Sequence, residues 1–149
     1  MDWIQHAKQL FNVPKPVHFT NYRHCCECAE HDATLLAQDV NSIGIKQLGN
    51  PGWDPLCFAS PEGFLYYMPA LVRLTLDTMH KPQERYLDQM LFHLMRDGRD
   101  NDVVRACSAE QRAFIAGFLE HVMDQYGTAM DECPFLADDI LNAYEIWSV

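Results

Sequence analysis

The feature that most constrains the fold is a long apolar segment that begins at Ser60 and continues to about Met79. Its first residues, Ser60-Pro61-Glu62, are typical of a helix start. A hydroxyl side chain can cap the helix, proline fits the first turn, and an acid favours the positive end of the helix dipole. The residues that follow are apolar on nearly every side of a helix, which predicts a buried central helix. Pro69 should kink this helix, because its ring removes a backbone donor and crowds the preceding turn.

Apolar residues recur at helical spacing in several other parts of the chain. These segments are residues 2–11, 22–40, 82–95, 108–127 and 135–147. Residues 41–59 are instead rich in Gly, Pro, Asn and Asp, which predicts a long loop. We therefore expect an all-α fold: a compact bundle of five to six helices with a kinked central helix and one long Gly/Pro loop. No linker divides the chain, so residues 1–149 are expected to form a single domain.

The net charge of −10 is distributed unevenly along the chain. Residues 113–149 contain seven acidic residues and no Lys or Arg. Such a field repels nucleic acid and attracts basic surfaces, so we expect a protein partner with a basic surface and no nucleic-acid partner. The alternative is that the acids only keep the protein in solution. The acidic residues expected to contact a partner are Glu120, Asp124, Asp131, Asp138 and Asp139.

Trp53 is a further candidate for partner binding. It lies in the segment Asn50-Pro51-Gly52-Trp53-Asp54-Pro55, where two prolines restrict the backbone. A large aromatic residue on a rigid loop loses little entropy when it anchors a partner. The same side chain could instead fill the core from the loop.

The segment from His24 to His31 contains three cysteines and two histidines. On a helix, His24, Cys28 and His31 would project from one face, and imidazole and thiolate groups at that spacing suit zinc. The usual second ligand pair is missing, so a fourth ligand would have to come from a distant residue. The alternative is a buried helix face with free thiols and a hydrogen-bonded histidine. No cofactor is required by the sequence, and zinc is the one that this segment would bind.

No other pattern in the chain predicts chemistry. It lacks a phosphate-binding glycine loop, a Gly-x-Ser-x-Gly turn, a His-Glu-x-x-His helix and a dinucleotide-binding pattern. A cysteine beside a histidine can act as a nucleophile, but catalysis also needs an oxyanion site and a substrate cleft, which the sequence does not indicate. We therefore expect a binding protein more than an enzyme.

The chain is expected to be cytoplasmic. Its longest apolar run is interrupted by Pro69 and Arg73 and falls short of the about 20 residues that span a bilayer. Its first residues lack the basic and apolar regions of an export signal. The six cysteines are therefore expected to be free thiols or metal ligands, because disulfides are rare in a reducing compartment.

The stretch Ser60-Pro61-Glu62-Gly63-Phe64-Leu65-Tyr66-Tyr67-Met68-Pro69-Ala70, with the Cys/His segment Cys25 to Asp32 before it, resembles a family of small bacterial proteins of unknown function. The resemblance implies a bacterial, cytoplasmic origin and carries over no activity. Together with the charge, it leads us to expect an acidic, non-enzymatic binding protein, such as an immunity-type inhibitor that neutralises a toxin or effector. The alternative is a zinc-binding protein or metal-dependent hydrolase that uses residues 24–31.

Overall fold

The computed structural model describes all 149 residues, and every regular element in it is a helix, which confirms the all-α class. None of the helices combines the length and hydrophobicity that crossing a bilayer requires. The α-helices are α1 (Trp3–Leu10), α2 (Cys26–Leu36), α3 (Ile45–Leu48), α4 (Pro61–Thr78), α5 (Leu87–Met95), α6 (Asp102–Ala106), α7 (Ala109–Gln125), α8 (Gly127–Glu132) and α9 (Pro134–Trp147). Three 3-10 helices cover Pro51–Trp53, Pro55–Phe58 and Gly98–Asp100.

The prediction of five to six helices is wrong, because the chain forms nine α-helices and three 3-10 helices. The expected long loop at 41–59 contains α3 and two of the 3-10 helices. Asn50, Asp54 and Asn101 each begin a short helix by accepting a hydrogen bond from the backbone N–H two residues later. Residue types that favour turns also favour helix starts, because both use a side-chain oxygen to satisfy a backbone donor.

Contacts along the chain group into two compact units, Met1–Leu76 and Asp77–Val149. A single domain therefore stays a prediction, and each unit has buried apolar residues of its own. In the first unit the largest fully buried side chains are Phe19, Leu35, Ile43, Leu48, Leu56, Phe64, Tyr67, Met68 and Leu71. In the second unit they are Tyr86, Phe118 and Trp147.

In the first unit, α4 provides much of the core and holds an irregular segment in place. The helix is continuous across Pro69 and is buried along most of its length, as its composition predicts. The Tyr67 hydroxyl donates to the carbonyl oxygens of Leu35 and Gln38, at 2.5 and 2.9 Å. The Arg73 guanidinium donates to the carbonyl oxygens of Val40 and Ile43. Side chains of α4 thus provide hydrogen-bond donors for backbone carbonyl groups at the end of α2 and in the irregular segment that follows it.

The second unit is built around α9, which packs against α5, α7 and α8. Its buried side faces the core through Leu136, Ile140, Ala143 and Trp147, which recur at helical spacing. The indole N–H of Trp147 donates to the carbonyl oxygen of Leu94 at 2.9 Å, and this bond joins α9 to the end of α5. The opposite side of α9 is therefore turned outward.

Candidate functional sites

The outward side of α9 and the adjoining side of α7 form a surface that we call the acidic helix face. The Tyr144 hydroxyl on α9 donates to the Glu120 carboxylate on α7 at 2.7 Å, so the two helices meet along this surface. This hydrogen bond raises the pKa of the Tyr144 phenol, since ionisation would place two negative charges together. The exposed acidic and large apolar residues on the outward sides of these two helices, which we group under this name, are Glu120, Asp124, Phe135, Asp138, Leu141 and Glu145.

Two large apolar side chains are exposed on this face. Phe135 is 80% exposed and Leu141 is 48% exposed, although both lie on a helix whose other side is fully packed. Asp138 and Glu145 follow Phe135 and Leu141 at three- and four-residue spacing, so apolar and acidic side chains alternate along one side of α9. Aromatic side chains are enriched at the cores of protein interfaces, so this side of α9 is a candidate recognition surface.

The structure brings together only some of the predicted partner-binding residues. Glu120, Asp124 and Asp138 are exposed on α7 and α9, and Asp131 is exposed on α8. Asp139 is half-buried and lies on the side of α9 that approaches Asp88 of α5. Burial, together with the Asp139 charge, raises the pKa of Asp88.

Trp53 lies in the first unit and is not part of this face. It ends the 3-10 helix Pro51–Trp53, is 43% exposed, and contacts the His31 ring with 4.5 Å between ring centroids. His31 itself is fully buried and also stacks on Phe58. Its Nε2 lies 3.5 Å from a carboxylate oxygen of Glu27, while its Nδ1 has no hydrogen-bond partner.

A second candidate site lies at the N-terminus of α2, and we call its residues His24, Cys25 and Cys28 the thiol cluster. The Cys25 sulfur caps the helix by accepting a hydrogen bond from the Cys28 N–H at 3.4 Å. The same sulfur lies 3.4 Å from the Cys28 sulfur, which lies 3.7 Å from the His24 Nδ1. The three potential ligand atoms are all within 4.8 Å of one another.

The two thiols of this cluster have opposite electrostatic environments. Hydrogen bonds from the Cys28 backbone N–H and from the His24 and Cys28 side chains lower the pKa of Cys25 to about 7. The bond to the Cys25 sulfur and burial raise the pKa of the Cys28 thiol. Cys25 is exposed and Cys28 is buried, so the group with the lower pKa is the one that solvent reaches.

The predicted metal ligands His24, Cys28 and His31 do not all lie together. The first two are in the thiol cluster, whereas His31 is held between Trp53 and Phe58. The prediction assumed a helix that includes His24, but α2 begins at Cys26, so the helical spacing from His24 to His31 does not apply. Cys25 takes the third position, and its Cys-x-x-Cys spacing to Cys28 is the sequence signal that indicates it.

A buried carboxylate forms a third polar centre near α2. Asp32 accepts hydrogen bonds from the backbone N–H groups of Phe19 and Thr20, at 2.6 and 3.1 Å. The His18 Nδ1 lies 2.7 Å from its other oxygen, and the His18 ring stacks on Tyr22. Burial alone would raise the pKa of Asp32, but these hydrogen bonds outweigh it and the pKa is lowered. The group therefore holds residues 18–20 against the helix.

Comparison with known proteins identifies a family without a known activity. The model of a family of unknown function (DUF6714) matches residues 21–145, a range that includes the thiol cluster and the acidic helix face. No curated protein sequence and no solved structure matches the chain. The expected likeness to a family of unknown function is thus confirmed, while its bacterial origin stays a prediction.

Proposed function

Because the chain belongs to this family of unknown function, its role has to be argued from its own surface, and we propose that it is a non-enzymatic protein that captures a basic partner on the acidic helix face. In its more specific form, the proposal is an immunity-type inhibitor of the bacterial cytoplasm that covers a toxin or effector. The observation that carries it is the exposure of Phe135 and Leu141 among acidic residues on one side of α9.

The charge of the second unit supports this proposal. No Lys or Arg follows Arg112, so the charged side chains of residues 113–149, which include most of α7 and all of α8 and α9, are all acidic. Exposed charges of one sign steer an oppositely charged partner and raise the association rate by about 10–1000-fold at low salt. A basic partner is the one that this field attracts.

The exposed apolar residues would slow the dissociation of the complex, which surface charge alone does not do. Charged groups at the rim of an interface mainly affect how fast partners meet, whereas a few buried aromatic or apolar anchors determine how long they stay together. Phe135 and Leu141 are the candidates for such anchors, because both are exposed on a packed helix whose backbone is already ordered before binding.

The test compares two variants with the same change of net charge. Asp124, Asp138 and Glu145 are replaced by lysine on the acidic helix face, and Glu30, Glu62 and Glu84 are replaced in the matched control. All six side chains are exposed, so folding should be little affected and circular dichroism checks it. Each immobilised chain is then exposed to a cell extract, and the retained proteins are identified by mass spectrometry.

We expect basic proteins to be retained by the parent and by the control, and lost by the variant of the acidic helix face. With a retained partner, the association rate should fall at least about tenfold and lose its salt dependence in that variant. Phe135→Ala should instead raise the dissociation rate. If the face variant retains the same proteins as the parent at low salt, the acids only keep the protein in solution and the proposal is wrong.

A further inference from the structure

The geometry points to a metal site of the zinc class at the N-terminus of α2, with His24, Cys25 and Cys28 as its three protein ligands. This site uses none of the residues of the acidic helix face, so it goes beyond the proposed function. It also differs from the set that the sequence predicts, because Cys25 replaces His31. The argument rests on ligand type, on distances and on charge.

The ligand types and their separations fit a tetrahedral ion. Zinc bonds of about 2.3 Å to sulfur and about 2.0 Å to nitrogen place two sulfurs about 3.8 Å apart and a sulfur and nitrogen about 3.5 Å apart. The observed separations are 3.4 Å between the Cys25 and Cys28 sulfurs and 3.7 Å between the Cys28 sulfur and the His24 Nδ1. These two separations are within a few tenths of an ångström of the tetrahedral values, and the third pair, the Cys25 sulfur and the His24 ring nitrogen, lies within 4.8 Å.

The competing use of the two thiols is a disulfide, and the structure favours it less. A disulfide requires the sulfurs at about 2.05 Å, so Cys25 and Cys28 would have to approach by more than 1 Å from their present 3.4 Å. It would also leave the His24 imidazole without a role, although this ring lies beside both thiols. A metal ion uses all three groups.

A bound cation would balance the charges of the cluster once both thiols have lost their protons. As ligands, Cys25 and Cys28 would be thiolates 3.4 Å apart, with the Glu27 carboxylate near them on the same helix turn. Like charges at that distance repel each other strongly where water is partly excluded. A divalent ion neutralises the two thiolates, and the N-terminus of α2 stabilises the remaining negative charge of Glu27 in its first turn.

Backbone structure places the ligands before any ion binds. A turn in which the His24 N–H donates to the Asn21 carbonyl directs the chain into α2, and the Cys28 N–H orients the Cys25 sulfur. Hydrogen bonds of this kind fix a ligand and tune its basicity. His24 and Cys25 are exposed, so the fourth position of the ion would be open to water or to an external donor.

The experiment titrates the reduced, metal-free chain with Co²⁺ and then with Zn²⁺ under anaerobic conditions. Tetrahedral cobalt with thiolate ligands absorbs strongly in the visible and near ultraviolet, which reports the ligands directly. Cys25→Ser removes a ligand while keeping a good helix cap, and His24→Ala removes an exposed ligand. Cys26→Ser is the matched control, because Cys26 is an exposed thiol on the same turn but outside the thiol cluster.

We expect one Co²⁺ per chain, displaced by Zn²⁺, in the parent and in Cys26→Ser. Cys25→Ser and His24→Ala should bind Zn²⁺ at least about tenfold more weakly, since even second-shell changes cost about 10–100-fold. Absence of the cobalt absorption, or equal binding by Cys25→Ser, would overturn the proposal. So would a chain trapped by alkylation at cell lysis that carries a Cys25–Cys28 disulfide and no zinc, because the pair would then be a redox dithiol.

Discussion

Asp32 on α2 in the first unit and Asp88 on α5 in the second unit are both helical aspartates, yet their surroundings change their pKa values in opposite directions. Burial disfavours the charged form of both. Asp32 also accepts hydrogen bonds from Phe19, Thr20 and His18, which outweigh burial and lower its pKa. Asp88 has the Arg85 charge in its favour, but burial and the Asp139 charge outweigh it and raise its pKa. The number of donors, more than the degree of burial, decides whether an acid stabilises the fold.

This difference separates two uses of negative charge in one chain. In the first unit the buried Asp32 carboxylate accepts backbone hydrogen bonds and so holds residues 18–20 against α2. The second unit keeps its acids on the surface, where they repel one another and lower the stability of the folded state. Under the proposed function, that repulsion is the cost of a field that attracts a basic partner.

The largest effect is expected from Asp32→Ala. Its loss leaves two buried backbone N–H groups without an acceptor, and each such group costs about 1–3 kcal/mol, so the free energy of unfolding should fall by about 2–6 kcal/mol. Urea unfolding of the parent and the variant measures this change in the free energy of unfolding. The control is Asp138→Ala on the exposed side of α9, which should change stability by no more than about 0.5 kcal/mol. Equal effects of the two substitutions would mean that Asp32 is not a structural acid.

The dependence of stability on pH sharpens the same comparison. The folded pKa of Asp32 is lower than its unfolded value of about 3.9, so the unfolded chain binds its proton first as the pH falls. Its contribution to stability is therefore complete above about pH 4 and is lost as the pH falls through the folded pKa. Unfolding free energies of the parent and Asp32→Asn, measured from pH 6 downward, should converge in acid. A constant difference between them would contradict the assignment.

The smallest effect, of opposite sign, is expected from Asp88→Asn. Its raised pKa means that the folded state disfavours the charged carboxyl, so a neutral amide should stabilise the second unit at pH 7. The gain should be no more than about 0.5 kcal/mol, because the group is partly exposed and screened by water. It should vanish as the pH falls and the carboxyl of the parent becomes neutral. Asp77→Asn, at another exposed position, controls for net charge, and a loss of stability in Asp88→Asn would refute this interpretation.

The parts of the fold that sequence predicts well are the long helices with side-chain caps. Ser108 and Gln111 form a capping box at the start of α7, with both hydrogen bonds present, and a Ser followed by a Gln three residues later is the sequence pattern for this motif. The Ser60 hydroxyl accepts a bond from the Gly63 N–H at the start of α4, as the Ser-Pro-Glu sequence predicts. These signals are local, so they need no knowledge of the tertiary structure.

The short helices and the exact membership of the thiol cluster could not be predicted in this way. A helix of three to six residues, such as α3 or α8, has too few turns to show a hydrophobic period. The predicted helical segment 108–127 ends close to the end of α7 at Gln125, but no pattern predicts that Gly127 begins a further helix, α8. In the same way, the position of Cys25 as a helix cap depends on where α2 begins. The predicted segment started at residue 22, whereas α2 starts at Cys26, and Cys25 rather than His31 lies with His24 and Cys28. The position of the helix boundary therefore decides which residues belong to the thiol cluster.

The Trp147 indole, which is buried and hydrogen-bonded to the Leu94 carbonyl, is a fluorescent probe of the second unit. An indole that is fully enclosed, as this one is, emits at shorter wavelength than one in contact with water. Trp53, which is half exposed and lies against the His31 ring, should emit at longer wavelength and be partly quenched. With Trp3 replaced by phenylalanine, the emission of Trp53 would report on the first unit and that of Trp147 on the second. Denaturation followed at both wavelengths would then show whether the two units lose their structure together or in sequence.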